Sequence, residues 1–319
     1  MGRLEHSNRL IVMAVDLNRS CQELVSKIEA VCLQSHSRLV LVHVLEPDFG
    51  SIADMREFVF NGGNPAFDST AVYSSIEHSN LRKKHFLQVM KSLTKKIDPN
   101  VKVDYEVIEG SNVEDVIFEE GLRLKAWAVA IGSHGGDNSD FPEFYFSKVR
   151  RFLELATLPV IVIPSETEQM NSLESMQICD DLMSNAAVSL GFAMASLFNI
   201  KSIIHQTVLT TTHRKQGSVT KPELAEVTNF AGCEQELIRR SISQLKDNRN
   251  IDYIPIVSNG PIKEAIHEVT DRHQPDIVLY GGGSHWRWNP FKPAHVSHEF
   301  KVSENKMFIV SGDMNRLGK

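Results

Sequence analysis

The residues that could do chemistry fall into three groups. Acids end two apolar runs: Asp16 follows Leu10–Val15, and Asp180 follows Met176–Cys179. A carboxylate at the carboxyl end of a buried strand can accept hydrogen bonds from a ribose or an exocyclic amine. It can equally rest against a helix N-terminus. Glycine-rich turns follow two further apolar runs, Gly132-Ser133-His134-Gly135-Gly136-Asp137 and Gly281-Gly282-Gly283-Ser284. Such a turn lets backbone N–H groups approach a phosphate. Neither Gly-x-x-x-x-Gly-Lys-Ser/Thr nor Gly-x-Gly-x-x-Gly occurs, so P-loop hydrolysis and dinucleotide redox chemistry lose their usual supports.

Histidines form the third group. His43 and His205 lie in apolar runs and read as packed, hydrogen-bonded core residues. His285, His295 and His298 lack the cysteine or paired carboxylates that would complete a zinc site at familiar spacing. Ser147 and His134 lack a strained nucleophile turn and a third partner. Trp286, Arg287, Trp288, Phe291 and Lys292 form an aromatic and basic cluster, suited to stacking on a base or to packing against a neighbouring unit.

The elements that would position these residues occur twice. Leu10–Val15 reads as a strand buried on both faces, the kind found in parallel sheets. A helix follows with Leu24, Ile28, Val31 and Cys32 on one face, capped by Asn18 or Ser20. Leu39–Val44 is a second buried strand, which makes a βαβ unit. Residues 48–75 read as a long loop, and a helix over 75–96 follows. Val103–Ile108 is a strand, and the next helix turns Val113, Val116 and Ile117 inward. Ala126–Ile131 is a strand; Val149, Phe152, Leu153 and Ala156 mark a helix, and Leu158–Ile163 a fifth strand. After a polar linker the order restarts. Met176–Asp180 is a strand, and Ala186, Leu190, Ala193, Met194 and Leu197 form a helical stripe. Ser202–His205, Asp252–Tyr253, Asp276–Tyr280 and Met307–Val310 supply further strands. Pairing Asp104 with Asp252, Gly110 with Gly260 and Gly132 with Gly281 gives offsets of 148, 150 and 149. Offsets that constant predict a duplicated five-stranded unit: residues 1–165, a linker over 166–175, and residues 176–319.

Composition bounds the function. The chain has 319 residues, room for two domains of roughly 150 residues each. Hydrophobic residues make up 42% and charged residues 23%, which suits a folded chain. The net charge of −6 offers no field for nucleic acid or an anionic membrane, so neither partner is expected. Four cysteines with no Cys-x-x-Cys read as reduced thiols in a cytoplasmic protein. The longest mostly apolar stretch, Ala186–Phe198, is far short of the roughly 20 residues that cross a bilayer.

Ala14-Val15-Asp16, Leu41-Val42-His43-Val44, Gly132-Ser133-His134-Gly135 and Leu158-Pro159-Val160-Ile161-Val162 together resemble a universal stress protein domain. The second half resembles the same domain in degenerate form, and the whole is similar to the tandem bacterial E-type. The resemblance implies two open, Rossmann-like, five-stranded parallel α/β domains. It also implies an internal pseudo-dimer formed by pairing Pro159–Ile163 with Met307–Val310. It places ligand contacts at Asp16, Val44, Gly132, His134, Gly135 and Ser147. In the second unit it places them at Asp180, Gly281, Gly283, Ser284 and His295.

Members that bind ATP carry a glycine where this chain has Phe146, and the intervening loop is one residue longer here. In the second unit Ala294 and His295 replace the final glycine and hydroxyl, Gln206 stands where Val44 does, and Met307 replaces a proline. These departures predict degenerate nucleotide sites, no resident cofactor and no catalysis. The chain is then expected to bind a small ligand or a protein partner in stress tolerance, with homodimerisation of the whole chain open to it. An adenine nucleotide in one working site is the alternative. An adenylating enzyme is disfavoured because its Ser-Gly-Gly-x-Asp-Ser loop is missing.

Overall fold

The computed structural model describes residues 9–16, 21–45, 69–132, 149, 151–153, 155–163, 172–180, 185–209, 251–259, 262–280 and 307–310. The first unit runs β1 (Leu10–Ala14), α1 (Cys21–Ser35), β2 (Arg38–Leu45), α2 (Ser69–Leu93), β3 (Val103–Glu109), α3 (Val113–Arg123), β4 (Ala128–Gly132) and β5 (Val160–Ile163). The second runs β6 (Ser175–Asp180), α4 (Asn185–Phe198), β7 (Ser202–Leu209), β8 (Asp252–Asn259), α5 (Ile262–His273), β9 (Ile277–Tyr280) and β10 (Met307–Val310).

All ten strands form one sheet in the order β3-β2-β1-β4-β5-β10-β9-β6-β7-β8. Each half is parallel throughout. The halves meet at a single antiparallel pair, in which Phe308, Ile309 and Val310 face Val162, Ile161 and Val160. The expected pseudo-dimer is therefore present as one continuous sheet.

The apolar runs explain the layers. A parallel strand is covered on both faces, so it needs no polar alternation. Ile11 and Met13 face α1 and belong to a core that includes Ile28, Val31, Leu39, Leu41 and Met90. Leu10 and Val12 point the other way, among Val40, Val42, Ile117, Phe118, Phe152 and Leu153. Both cores run through the junction. Ile161 and Ile163 join the first to Met176, Phe192 and Ile309, while Val160 and Val162 join the second to Val278 and Tyr280. Each of these fully buried side chains stabilises the fold by about 1.5–3 kcal/mol.

Polar contacts tie the halves together near the start of the second unit. Gln34, on α1, donates to the carbonyl oxygens of Leu173 (2.7 Å) and Phe198 (2.5 Å), and accepts from the Leu173 N–H (3.0 Å). Trp127 meets Phe198 edge-on at 6.2 Å and donates to Ser37 Oγ at 3.0 Å. The end of the expected linker is thus fixed to the first unit, with Leu173 fully buried.

Three sequence expectations need correcting. Helix α2 starts at Ser69, inside the segment expected to be loop, whereas residues 46–68 lie outside the described residues. Helix α4 buries Ala187, Val188, Phe192, Met194, Ala195 and Phe198, while Ala193 is exposed and Leu190 and Leu197 are half-buried. That helix is apolar nearly all round, so the pattern of spacing could not choose its inward face. In α3, Val113 and Val116 are half-buried, and Ile117 and Phe118 carry the inward face.

Four helices end in the same way. His36, Lys125, Asn199 and Gln274 follow α1, α3, α4 and α5 with φ of 52°, 56°, 52° and 46°. Behind α1 the N–H of Ser37 returns to Cys32 O at 2.9 Å, and behind α3 that of Ala126 returns to Gly121 O at 2.8 Å. This is the left-handed helix stop that glycine usually occupies. A side chain there costs roughly 1–2 kcal/mol. Lys125 is exposed. Lys125→Gly is therefore expected to raise unfolding stability by about 1 kcal/mol in a denaturant titration.

Candidate functional site

In an open parallel sheet, ligands bind beyond the carboxyl ends of the strands where the strand order reverses. That reversal falls between β1 and β4 in the first unit and between β6 and β9 in the second. At the first reversal the main-chain ladder continues past β1, with the Val15 N–H donating to Val42 O at 3.0 Å. Asp16 follows and is exposed. Gly132, half-buried, ends the adjacent strand β4. Asp16 and Gly132 therefore flank one crevice. Val44 is buried on the α3 side of the sheet. His134, Gly135, Phe146 and Ser147 lie outside the described residues, as do Gly281, Gly283, Ser284, Ala294, His295 and the cluster around Trp286.

His43 behaves as a structural residue. Its Nδ1 donates to Val15 O at 2.9 Å, and its ring packs on Phe86 at 4.5 Å between centroids. It braces the end of β1 just before Asp16.

Cys21 opens α1 beside Asp16. Burial, and then the Asp16 charge, push its thiol up to about 12. Cys32 is pushed up to about 12 by burial and then by Glu29. Cys179 is also buried, and its Sγ accepts from Gln177 Nε2 at 3.6 Å. These thiols are inert packing groups.

Strand registers revise the match between the two units. Ile11 pairs with Ala128, and Met176 pairs with Ile277. Leu10 pairs with Arg38, and Ser175 with Ser202. Met176 thus takes the place of Ile11, and Asp180 takes the place of Val15. The place of Asp16 passes to Asp181, outside the described residues. On the next strand His205 stands where the first unit has Leu41, Gln206 where it has Val42, and Thr207 where it has His43. Leu39 pairs with Val103 and Ile203 with Tyr253, so Tyr253 stands at Val103, and the offset for this strand is 150 rather than the 148 of the Asp104–Asp252 match.

The consequence is a polar core that spacing alone did not reveal. On the α4 side, Asp180 is 2% exposed and its Oδ2 lies 3.7 Å from Nε2 of the fully buried His205. The other ring nitrogen of His205 is 2.7 Å from the Tyr253 hydroxyl. Asp180 is thus turned into the core, away from the solvent that Asp16 meets. On the α5 side, Thr270 Oγ1 donates to Gln177 Oε1 at 2.9 Å, and Gln177 Nε2 donates to Gln206 Oε1 at 2.7 Å. Gln206 Nε2 then donates to Ser258 Oγ (2.9 Å) and to Ala265 O (2.8 Å). Both hydrogens of the Gln206 amide are used. The signals in the sequence were Gln177, His205 and Gln206, polar residues in otherwise buried strands. Among the described residues no group of three metal-binding side chains comes together, and no helix is long and apolar enough to cross a membrane.

Two measurements check this assignment. Gln206→Val removes the oxygen acceptor of Gln177 Nε2, which keeps only its weaker bond to Cys179 Sγ at 3.6 Å, so it is expected to cost about 1–3 kcal/mol of unfolding free energy. The double variant Gln177→Val with Gln206→Val, which restores the first unit's residue types, is expected to recover at least half of that loss. At pH 8 a thiol near 12 is only about 0.01% thiolate. Mass mapping after treatment of native protein with an alkylating reagent should therefore leave Cys21 and Cys32 unmodified until the chain unfolds.

No protein-family model matches the sequence, and no curated protein sequence matches it. Solved structures do. A universal stress protein from Archaeoglobus fulgidus DSM 4304 superposes with a TM-score of 0.57 at 13% identity, covering 96% of this chain and 98% of that one. A functionally unknown protein from Pseudomonas aeruginosa PAO1 gives 0.54 at 10% identity, over 98% and 95% of the two chains. A chain from Pseudomonas aeruginosa UCBPP-PA14, described as a universal stress protein, gives 0.53 at 10% identity, over 98% and 96%. The likeness runs through both units, so this chain has the tandem α/β fold of the universal stress proteins, closed into one ten-stranded sheet.

Proposed function

We propose that the chain is a cytoplasmic binding protein of stress tolerance that recognises a small ligand or a protein partner and performs no catalysis. The observation that carries this reading is the exposed carboxylate of Asp16 beside Gly132 at the strand-order reversal of the first unit. That is where sheets of this kind take ligands. The fold itself supports a role in ligand binding or stress response. The second unit supports division of labour. Its equivalent strand turns Asp180 inward to His205 and fills its core with amide and hydroxyl groups. Phe146, standing where ATP-binding members carry glycine, argues that the first crevice holds something other than a triphosphate. The alternative, an ATP-binding switch with one working site and slow hydrolysis, draws on the same exposed Asp16.

Protein purified without added nucleotide and then denatured is expected to release no adenine nucleotide on chromatography. Millimolar ATP is expected to leave its Tm unchanged, whereas a ligand at 100 times its Kd would add about 2.7 kcal/mol. Phe146→Gly is expected to gain nucleotide binding. Stoichiometric ATP or AMP released from the native chain would establish the switch instead.

A further inference from the structure

We infer that Pro255 is a stop set on the outer edge of β8, the last of the described strands, which keeps a second copy of the chain from adding to the sheet. Strand β8 is the last in the order, next to β7 alone among the described strands. Along any strand the main-chain N–H and C=O groups of successive residues point alternately to its two sides. The Asp252 N–H donates to Lys201 O at 2.8 Å, so residue 252 faces β7. Residues 254, 256 and 258 follow it, while 253, 255, 257 and 259 face outward. Pro255 has no N–H to offer, and it falls in the outward set. At an inward position a proline would delete a bond to β7; at an outward one it removes the donor a newcomer needs.

The rest of β8 explains why such a stop is needed. Ile254, Ile256 and Val257 are half-buried β-formers, and Asp252 is the strand's one charged residue. An edge of this kind, with one charge at its start and an apolar middle, pairs readily with its own copy, since the two strands can meet about a twofold axis. The opposite edge is managed by charge. In β3, Asp104 pairs with Arg38, Glu106 with Arg123 (3.0 Å) and Glu109 with Lys83 (3.2 Å). Register places Tyr105 at the position equivalent to Pro255. The two ends of one sheet are thus closed by different means, three acids at one and a single imino acid at the other.

Sedimentation velocity of the full chain and of Pro255→Val, each from about 1 to 100 µM, tests the assignment. The variant is expected to self-associate at least tenfold more tightly than the native chain, with added strand signal in circular dichroism. Equal association in a variant with native circular dichroism and Tm would overturn it. Two proline insertions test the alternation itself. Val257→Pro, on the outward set, should leave Tm within a few degrees, and Ile256→Pro, on the inward set, should lower it by roughly 6–12 °C. Equal losses from the two would also overturn the inference.

Discussion

The antiparallel pairing of β5 with β10 is the contact on which the rest of the architecture depends. Each half alone is an open parallel sheet with a bare edge at its last strand. Three residue pairs across that seam, Val160 to Val310, Ile161 to Ile309 and Val162 to Phe308, merge the halves. β5 is buried on both faces, and Met307 and Ile309 of β10 are fully buried, so the merger accompanies cores that run across the boundary above and below the sheet. The Gln34 hydrogen bonds to Leu173 and Phe198 act at the same boundary, on the face carrying α1 and α4. The geometry resembles a dimer interface whose two partners share one chain.

Duplication left the framework intact and let the interior diverge. Val12, Val42, Val15 and Leu41 in one half become Gln177, Gln206, Asp180 and His205 in the other. A buried amide is tolerable only when every donor and acceptor is met, and the Thr270–Gln177–Gln206–Ser258 chain meets that condition. Such a network fixes the spacing of β6, β7 and α5 more strictly than interchangeable aliphatic groups do. The first unit keeps an apolar interior and presents its acid, Asp16, to solvent. The two halves thus share a topology while differing in where they spend their polar groups.

Much of this was legible because parallel strands are written as continuous apolar runs. Leu10–Val15, Leu39–Val44 and Leu158–Ile163 could hardly be read otherwise, and the near-constant spacing of Gly110, Gly132, Gly260 and Gly281 exposed the repeat. Matching by residue type misled where register decides. His43 and His205 look equivalent but stand two positions apart in the ladder, and Asp104-Tyr105 is likewise displaced from Asp252-Tyr253. Helix ends were obscure because His36, Lys125, Asn199 and Gln274 adopt the left-handed stop without a glycine to announce it. Of the candidate site, the strand-end positions of Asp16 and Gly132 were legible, since position at the end of a buried run is a property of sequence. The inward turn of Asp180 was not, because it depends on which face of β6 a residue takes.

The seam has a consequence for biogenesis. Ile163 and Met307, the near ends of the two joining strands, are separated by most of the second unit. At about 5–20 residues per second, a ribosome takes roughly 7–30 s to deliver the second after the first. Throughout that interval the nascent first unit presents the unpaired flank of β5, an adhesive strip awaiting its mate. Vectorial synthesis therefore makes β10 the final rivet of this seam, and premature termination before Met307 would release a half-built sheet suited to capture by a chaperone or by another truncated chain.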